Sequence, residues 1–238
     1  MRLFLMLLLL LAAPFSFAND DDPWESWNRS VFKFNEVLDR YTLKPLGQAY
    51  RNVAPQAVDD AVTNVFSNLG EPIIVVSDLA QGKFLQALSD SARFVVNSTV
   101  GILGAFDVAR YIGLEKHNED VGQVLAFWGV ESGPYVMLPF FGPSTARDAA
   151  GFAFETFALS SIDPGVVSFS SLESQYSAQY LKYLDARADF IPSESIISGD
   201  RYSFIRSFYL QRRAYLINDG VVEDEFSDEF EDDFDDEF

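Results

Sequence analysis

Apolar residues recur at spacings of three and four along most of the chain beyond residue 20, which is the period of an amphipathic helix. The first such stripe consists of Trp24, Trp27, Val31, Phe34, Leu38 and Tyr41. Pro23 precedes it, at a point where a first helical turn tolerates proline. Lys44-Pro45 should end or bend this helix, because a residue before proline avoids the α region.

The same period predicts further helices over residues 55–69, 73–82 and 83–100. The segment 83–100 places one apolar set on a single side: Phe84, Leu85, Leu88, Ala92, Val95 and Val96. Helices are also predicted over 145–159, 171–190 and 200–218. Ser144 suits the N-cap of the first of these three helices, and Gly220 suits the αL C-cap of the last.

The segment between Gly129 and Gly151 does not fit this helical pattern. It reads GVESGPYVMLPFFGPSTARDAAG, apolar and aromatic in the middle but interrupted by glycine or proline every few residues. It is too short and too broken to span a bilayer, which takes about 20 apolar residues. We therefore expect short elements here, joined by irregular backbone.

The two ends of the chain differ from the rest. Residues 1–18 resemble a secretory signal peptide, with Arg2 before an apolar run and Ser16 and Ala18 at a cleavage site; an uncleaved anchor helix is the alternative. Residues 221–238 hold eleven acids with a phenylalanine at every fourth position, and we expect this tail to be disordered. The predicted domains are thus 1–18, 19–220 and 221–238.

Composition limits the possible partners. The formal net charge is −19, so the chain is repelled by nucleic-acid phosphates and by anionic lipid head groups, and we expect no nucleic-acid partner. Hydrophobic residues make up 48% and aromatic residues 15% of the chain. Any membrane attachment should therefore depend on apolar burial. Trp24 and Trp27 fit either a packed core or a membrane interface.

Few residues could perform bond chemistry. There is no cysteine and one histidine, His117, so a Ser–His–Asp triad would have to use it, with Ser144 in GPSTA as the candidate nucleophile. The alternatives are a solvated loop histidine and a helix-capping serine. No phosphate-binding loop or zinc or calcium motif is present, although the acidic tail could bind calcium loosely. We expect no catalytic residues, no metal and no cofactor.

Several stretches together resemble the MlaA family, also called VacJ. They are DPWESWNRSVFKFNEVLDRY, KPLGQAYRNVAPQAV, VFSNLGEPIIVVSDLAQGK, ARFVVNSTVGILGAFDVA, EDVGQVLAFWGVESGPYVMLPFFGPSTARDAAG and FIRSFYLQRRAYLINDG. The resemblance extends from Asp22 to Gly220. It implies an all-α fold, in which short amphipathic helices form a ring and an irregular Gly/Pro-rich segment borders an amphipathic channel.

The resemblance also implies a function in the outer membrane. Members of the family face the periplasm from the inner leaflet, remove phospholipids misplaced in the outer leaflet, and work with trimeric porins and a soluble periplasmic lipid carrier. Lipidation on a cysteine is common in the family, and this chain has none. We therefore expect its own apolar surface or a porin to hold it at the membrane. The acidic tail either steers a basic partner such as the carrier or only solvates the chain.

We predict that the channel wall is formed by one segment and the ion pair that follows it, because irregular backbone at membrane depth is tolerated where it lines a cavity. The candidates are Gly133, Pro134, Tyr135, Leu138, Pro139, Phe140, Phe141, Gly142, Pro143, Arg147 and Asp148. Tyr135, Leu138, Phe140 and Phe141 should meet acyl chains. Arg147 and Asp148 either contact a head group beside an apolar cavity or form an exposed pair on the first turn of a helix, where each serves local electrostatics.

Two other functions compete with the conduit. A lipid hydrolase would lose activity with Ser144→Ala or His117→Ala, whereas a conduit would be nearly indifferent to both changes. An envelope scaffold would bind porin without moving lipid. A charged residue in place of Tyr135 should then stop a conduit and spare a scaffold.

Overall fold

The computed structural model describes residues 22–161, 181, 184–185, 187–189, 191 and 199–221. Within these residues the chain is mostly helical, with eight helices and one two-stranded sheet. The helices are α1 (Glu25–Tyr41), α2 (Leu43–Val53), α3 (Gln56–Ala80), α4 (Phe84–Thr99), α5 (Val108–Tyr111), α6 (Val121–Phe127), α7 (Ala146–Ser161) and α8 (Arg201–Ile217). The strands are β1 (Tyr135–Leu138) and β2 (Gly142–Thr145). The mostly helical class predicted from the sequence is confirmed, and the ring-like arrangement stays a prediction.

The predicted break near Lys44-Pro45 is confirmed and falls slightly earlier. Helix α1 ends at Tyr41, Thr42 leaves the helical region with φ −126° and ψ −75°, and α2 begins at Leu43. Pro45 therefore lies in the first turn of α2, where its missing N–H costs no helical hydrogen bond.

Helix α3 runs without interruption through Pro72, so the prediction of two helices, over 55–69 and 73–82, is wrong. Proline inside a helix removes one hydrogen bond and costs about 3 kcal/mol. Here the preceding residue, Glu71, is fully buried and its carboxylate lies 3.4 Å from the guanidinium of Arg93 on α4. This interhelical pairing and the packing of α3 along α4 hold the backbone helical on both sides of the proline.

Helices α7 and α8 are capped at or next to the residues predicted to cap them. Thr145 caps α7, since its Oγ1 accepts a hydrogen bond from the Asp148 N–H at 3.2 Å. The hydroxyl of Ser144, the predicted cap, donates to the Thr145 carbonyl instead. Asp200 caps α8 by accepting from the Tyr202 N–H. Gly220 adopts φ +82° just beyond α8, in the left-handed region expected of it.

The polarity of the described part of the molecule is inverted relative to an ordinary soluble protein. Buried polar and charged side chains outnumber buried apolar ones, and many large apolar side chains are exposed. In α4 the buried residues are Ala87, Asp90, Arg93 and Asn97, while Leu85 on the predicted apolar face is 86% exposed. The stripe of α1 is likewise mostly exposed, with Trp27 at 62%. An apolar outer surface of this extent indicates contact with lipid or with another protein.

A small apolar core remains where α1, β1 and α8 meet. It contains Val31, Tyr135, Met137 and Tyr202. Among the described residues, no helix combines the length and the hydropathy that a membrane crossing requires. The predicted helix over 171–190 falls largely outside the described residues. The predicted signal peptide lies outside them as well, as does the predicted acidic tail except for Val221.

Candidate functional site

The irregular segment predicted to border a channel folds into a short β-hairpin. Strand β1 pairs antiparallel with β2, with Tyr135 opposite Thr145 and Leu138 opposite Gly142. Gly133 and Gly142 have φ of +66° and +89°, and Phe140 in the turn has φ +69°. Such values favour glycine, so the left-handed backbone at Phe140 needs support from its neighbours.

Two asparagines of α1, seven residues apart and therefore on one face, supply that support. Asn28 donates from Nδ2 to the Tyr135 carbonyl at 3.0 Å, and its Oδ1 accepts from the Met137 N–H at 2.8 Å. Asn35 donates to the Leu138 carbonyl at 3.0 Å and accepts from the Phe140 N–H at 2.9 Å. Each amide thus pairs with the free edge of β1 as a neighbouring strand would.

A pocket of about 240 Å3 opens beside the hairpin. Its lining residues come from β1, β2, α6, α7 and α8 and the segments that adjoin them. They are Asp120, Gly122, Leu138, Phe141, Pro143, Ser144, Asp148, Phe152, Glu155, Tyr209 and Arg213. The apolar wall includes Leu138, Phe141, Pro143 and Phe152, and the polar wall carries three carboxylates and one guanidinium. The pocket is therefore amphipathic.

Arg213 organises the polar wall. Its Nε donates to Asp148 Oδ2 at 2.8 Å, and its Nη2 donates to Asp148 Oδ1 at 3.0 Å and to Asp120 Oδ1 at 2.7 Å. Its Nη1 donates to the second oxygen of Asp120. Tyr209 adds a hydrogen bond from its hydroxyl to Asp148 Oδ2 at 2.7 Å. This network fixes α8 against the start of α6 and the first turn of α7.

Asp148 and Arg213 stay ionised in the folded protein. Burial by itself would raise the pKa of Asp148, but the hydrogen bonds and charge of Arg213 outweigh it and hold that pKa below its usual value. Burial likewise acts to lower the pKa of Arg213, and hydrogen bonding to Asp120 outweighs it and raises the pKa. Asp148 and Arg213 therefore form a fixed ion pair on the polar wall.

Two glycines allow the elements of the polar wall to approach one another. A Cβ on Gly151 of α7 would lie 2.6 Å from the backbone nitrogen of Gly122 on α6. A Cβ on Gly122 would lie 2.5 Å from Arg213 Nη2 and 2.6 Å from Asp148 Oδ1. The ion-pair network and the α6–α7 contact thus both require the absence of a side chain at these positions.

The structure brings some of the predicted channel residues to the pocket and places others elsewhere. Leu138, Phe141, Pro143 and Asp148 line it. The remaining candidates are not among its lining residues: Gly133, Pro134, Tyr135, Pro139, Phe140, Gly142 and Arg147. Arg147 supports the wall indirectly, since its Nε lies 3.2 Å from Asp148 Oδ1 and its Nη1 donates to the Val130 carbonyl.

Tyr135 requires a correction. It is only 3% exposed and packs in the small core, with its ring 6.2 Å from the rings of Tyr202 and Tyr209. It therefore does not meet acyl chains in this conformation. A charged residue at this position would disrupt the core, so it cannot separate a conduit from a scaffold.

The two residues of the hydrolase alternative have different partners. Ser144 Oγ donates to the Thr145 carbonyl at 3.2 Å. His117 Nδ1 lies 2.9 Å from an oxygen of Asp90, which is fully buried on α4. A serine nucleophile needs its hydroxyl directed at the base, and these contacts direct both groups elsewhere. Among the described residues, no group of three or more potential ligands is placed to hold a metal ion.

Sequence reasoning missed most of the polar wall. Asp120, Glu155, Tyr209 and Arg213 lie far apart in the chain and meet only through the tertiary fold. No local motif marks them, and Arg213 is one of four arginines in α8, so its residue type alone does not distinguish it. Trp24, just before α1, and Trp27, within it, are both exposed, and their place at a membrane interface stays a prediction.

Together these features define a helical protein with an apolar exterior, a polar interior and an amphipathic pocket beside a hairpin. The sequence profile of the MlaA lipoprotein family matches residues 20–216, and the chain belongs to that family. It is 31% identical over 210 residues to the intermembrane phospholipid transport system lipoprotein MlaA of Escherichia coli. The aligned residues cover 86% of this chain and 81% of that protein.

Two further proteins are similar to this chain. A protein of Rickettsia felis is 36% identical over 163 residues, which is 65% of each chain, so the match spans just under two thirds of that relative. A solved structure described as the structural basis for maintenance of bacterial outer membrane lipid asymmetry matches with a TM-score of 0.72 and 31% identity. That match covers 84% of this chain and all of the solved chain.

Proposed function

We propose that this protein works in outer-membrane phospholipid transport. It takes phospholipids misplaced in the outer leaflet, passes them through an amphipathic channel bordered by the pocket, and delivers them to a soluble carrier in the periplasm. The observation that carries the proposal is the pocket itself, which joins an apolar wall to a charged one inside a protein whose outer surface is apolar. Membership of the MlaA lipoprotein family supports it.

The pocket suits an amphiphile for a physical reason. Moving a phospholipid across a bilayer takes its charged head group through hydrocarbon, which is costly unless polar groups replace the lost water. A head group can use the charged wall around Arg213, while Leu138 and Phe141 can contact the acyl chains. At about 240 Å3 the pocket is smaller than a site for a drug-sized ligand, so it holds one portion of a lipid at a time.

We place the mature chain, with 19–220 as its functional domain, at the periplasmic face of the outer membrane after export by a cleaved signal peptide. The exposed apolar side chains of α3 and α4 would hold it in the inner leaflet, because the chain has no cysteine to carry an acyl chain. At about 25 cal/mol per Å2, a few hundred Å2 of immersed apolar surface gives several kcal/mol. Trp24 and Trp27 would lie at the interface.

The proposed partners are phospholipid, a trimeric porin and the soluble lipid carrier. The porin would position the protein beside a route from the outer leaflet, and the carrier would take up the lipid from the periplasmic side. The protein acts as a conduit without bond chemistry, which the separate partners of Ser144 and His117 support. The driving force for net transport then comes from other components.

Reconstitution tests the proposal. The mature protein is placed in vesicles that carry a labelled phospholipid, and transfer of the label to a soluble lipid carrier is measured. Phe141→Asp puts a charge on the apolar wall and should reduce transfer at least about tenfold, since burying a phenylalanine-sized apolar group is worth about 1.5–3 kcal/mol. Phe141→Leu keeps the wall apolar and should retain most of the transfer.

Two outcomes would favour the competing functions. Loss of activity in both Ser144→Ala and His117→Ala, with release of a fatty acid by the unaltered protein, would indicate a hydrolase. Porin binding without transfer of label, in the unaltered protein and in Phe141→Asp alike, would indicate a scaffold.

A further inference from the structure

Helix α8 carries aromatic residues on two opposite faces. The inner face includes Tyr209 and Arg213, which take part in the small core and in the polar wall of the pocket. The outer face includes Phe204, Phe208 and Tyr215, which are 39%, 57% and 50% exposed, and the rings of the two phenylalanines stack 6.4 Å apart. At about 3.6 residues per turn these three residues form one stripe along the helix, the outer stripe. A helix that is apolar on both faces is normally covered on both, so the outer stripe indicates a partner.

Hydrocarbon is a poor partner for the outer stripe. Gln211 lies within the stripe and Arg212 lies beside it, and both are exposed. Arg212 forms no ion pair with another described residue. Immersion in lipid would leave this guanidinium without water or a counter-charge, which is costly. The outward face of α4 differs, because both charged residues of α4, Asp90 and Arg93, are buried. The partner of the outer stripe should therefore offer apolar groups together with negative charge.

The chain turns back over this face as it leaves α8. Gly220 adopts φ +82°, and its N–H donates to the Tyr215 carbonyl at 2.9 Å. The Val221 N–H donates to the Asn218 carbonyl at 2.9 Å. This turn brings the backbone onto an aromatic ring, since a Cβ on Gly220 would lie 3.1 Å from the Tyr215 hydroxyl. Residues 222–238 therefore begin at one end of the outer stripe.

Residues 222–238 have the composition that the outer face requires. They are as many as the residues of α8, so as a helix they would extend along its whole length. They contain eleven acids, whose carboxylates are suitable partners for an exposed guanidinium. A phenylalanine recurs at every fourth position, and this spacing places all four on one side of a helix. The four are Phe226, Phe230, Phe234 and Phe238.

We propose that residues 222–238 dock on the outer face of α8 as an antiparallel helix. Two antiparallel helices joined by about two to five residues are a common hairpin, and residues 218–221 form the joint. The phenylalanines of the tail pack on the outer stripe, with Phe230 closest to Phe208, and neighbouring acids pair with Arg212. A charge block of this kind does not fold alone, so the tail becomes ordered on docking. The inference does not depend on lipid transport, because the outer face and the pocket lie on opposite sides of α8.

Electrostatic repulsion sets the conditions for docking. The acids of the tail repel one another and the rest of a chain whose formal net charge is −19. At 0.15 M salt the Debye length is about 8 Å, so repulsion between distant charges is screened, while an acid in contact with Arg212 keeps its attraction. The burial of aromatic surface does not depend on this screening. Docking is therefore expected at 0.15 M salt, and the test is done there.

Cysteine cross-linking tests the docking, because the chain has no cysteine of its own. The full chain is placed in zwitterionic vesicles with Gln211→Cys on the outer stripe and Phe230→Cys in the tail, and the rate of disulfide formation under a mild oxidant is measured. The matched control combines Phe230→Cys with Asn52→Cys, at an exposed position of α2. We expect the first pair to react within one molecule at least about tenfold faster, since docking raises the effective concentration of the two thiols.

Two further positions, changed in the protein with Gln211→Cys and Phe230→Cys, test the outer stripe itself. Phe208→Ser removes an aromatic contact and should slow the reaction at least about threefold, whereas Phe208→Tyr keeps the ring and should react normally. Arg212→Gln removes the counter-charge and should slow the reaction about twofold, the size of an exposed ion pair. Circular dichroism checks that each variant retains its helices.

Four outcomes would contradict the proposal. Equal rates for the two cysteine pairs would overturn the docking. A disulfide formed mainly between two molecules would overturn it as well, because the tail would then lie on a second copy. A reaction that is fast in detergent and slow in vesicles would show that lipid covers the outer stripe in place of the tail. Cross-linking within one molecule that neither Phe208→Ser nor Arg212→Gln slows would overturn the contact with the outer stripe. None of these outcomes bears on lipid transport.

Discussion

At the scale of single residues, the contact between α6 and α7 depends on Gly151. A Cβ there would lie 2.6 Å from the Gly122 nitrogen, and a backbone atom cannot move aside as a flexible side chain can. Gly151→Ala should therefore force the helices apart and lower the free energy of unfolding by about 1–3 kcal/mol. Gly70→Ala on α3, where nothing lies within 4 Å, should instead raise it by about 0.5–1 kcal/mol. Denaturant unfolding in detergent measures both, and equal changes would contradict the contact.

A second residue-scale prediction concerns pH. Burial, followed by the hydrogen bond and charge of Asp90, raises the pKa of Asp78 to about 7. In the unfolded chain this pKa returns to about 3.9. The folded state therefore binds the proton more tightly, and the stabilisation from protonated Asp78 is fully present below about pH 4 and lost as the pH rises through 7.

Asp78→Asn should remove this dependence, because an amide resembles the protonated acid and can still accept the hydrogen bond of Gln86. At pH 8 we expect the free energy of unfolding of the variant to be at least about 1 kcal/mol higher than that of the unaltered protein. At pH 5 the difference between the two free energies should be smaller. Unfolding at the two pH values checks this. The exposed Asp60→Asn serves as control, and a variant less stable at pH 8 would contradict the prediction.

At the scale of elements, the period of apolar residues predicted the helices well and their orientation poorly. The stripe Phe84, Leu88 and Val95 marks a helix correctly, but it faces outward, while Asp90 and Arg93 face inward. Periodicity reports that a helix has two faces; it does not report which solvent each face meets. The pattern also failed to predict that α3 continues through Pro72. Glu71, just before the proline, pairs with Arg93, which lies 22 residues further along the chain, so a local pattern could not show this contact.

The hairpin depends on α1 for its position. Asn35 supplies two hydrogen bonds to the turn, and the ring of Phe34 lies 5.4 Å from that of Phe140 at an angle of 89°. Asn35→Ala should release the turn and leave α1 folded, so amide hydrogen exchange of Phe140 should accelerate about tenfold, which corresponds to about 1.4 kcal/mol of lost local protection. Asn52→Ala, at an exposed position of α2, is the control. Unchanged exchange at Phe140 would show that the turn holds itself.

The loop after α4 should contact lipid. Ile102 and Leu103 adopt φ of 53° and 57° and are 65% and 74% exposed. A left-handed backbone costs a β-branched or bulky residue about 1–2 kcal/mol, so this conformation indicates a function for the exposed side chains.

Ile102→Asn tests this contact. Asparagine tolerates the left-handed backbone, so the variant should be at least as stable as the unaltered protein, while binding of the variant to zwitterionic vesicles weakens about tenfold. Ile102→Leu should bind normally. Unchanged binding of Ile102→Asn would exclude this loop from the membrane contact.

At the scale of the whole molecule, the resemblance of several long stretches to one family carried more information than any single pattern. It predicted the helical class and the family, which the comparisons confirm. It also implied a channel bordered by the segment that the broken apolar pattern had already distinguished, and Leu138, Phe141 and Pro143 of that segment line a pocket. Apart from Asp148, the polar wall could not be predicted, because its charges come from three separate helical regions and acquire their pairing only when α8 packs against α6 and α7.

The net charge gives the protein an unusual dependence on salt. A formal charge of −19 repels anionic lipid, and this repulsion is screened when the Debye length falls from about 30 Å at 0.01 M salt to about 8 Å at 0.15 M. Binding to vesicles rich in phosphatidylglycerol should therefore strengthen as the salt concentration rises. A protein with a basic surface would show the opposite response, and its binding would weaken as salt is added. Removing residues 221–238 takes the charge to −8 and should reduce the dependence. Vesicle flotation at both salt concentrations measures it, and binding that weakens with salt would reveal a cationic surface instead of apolar burial.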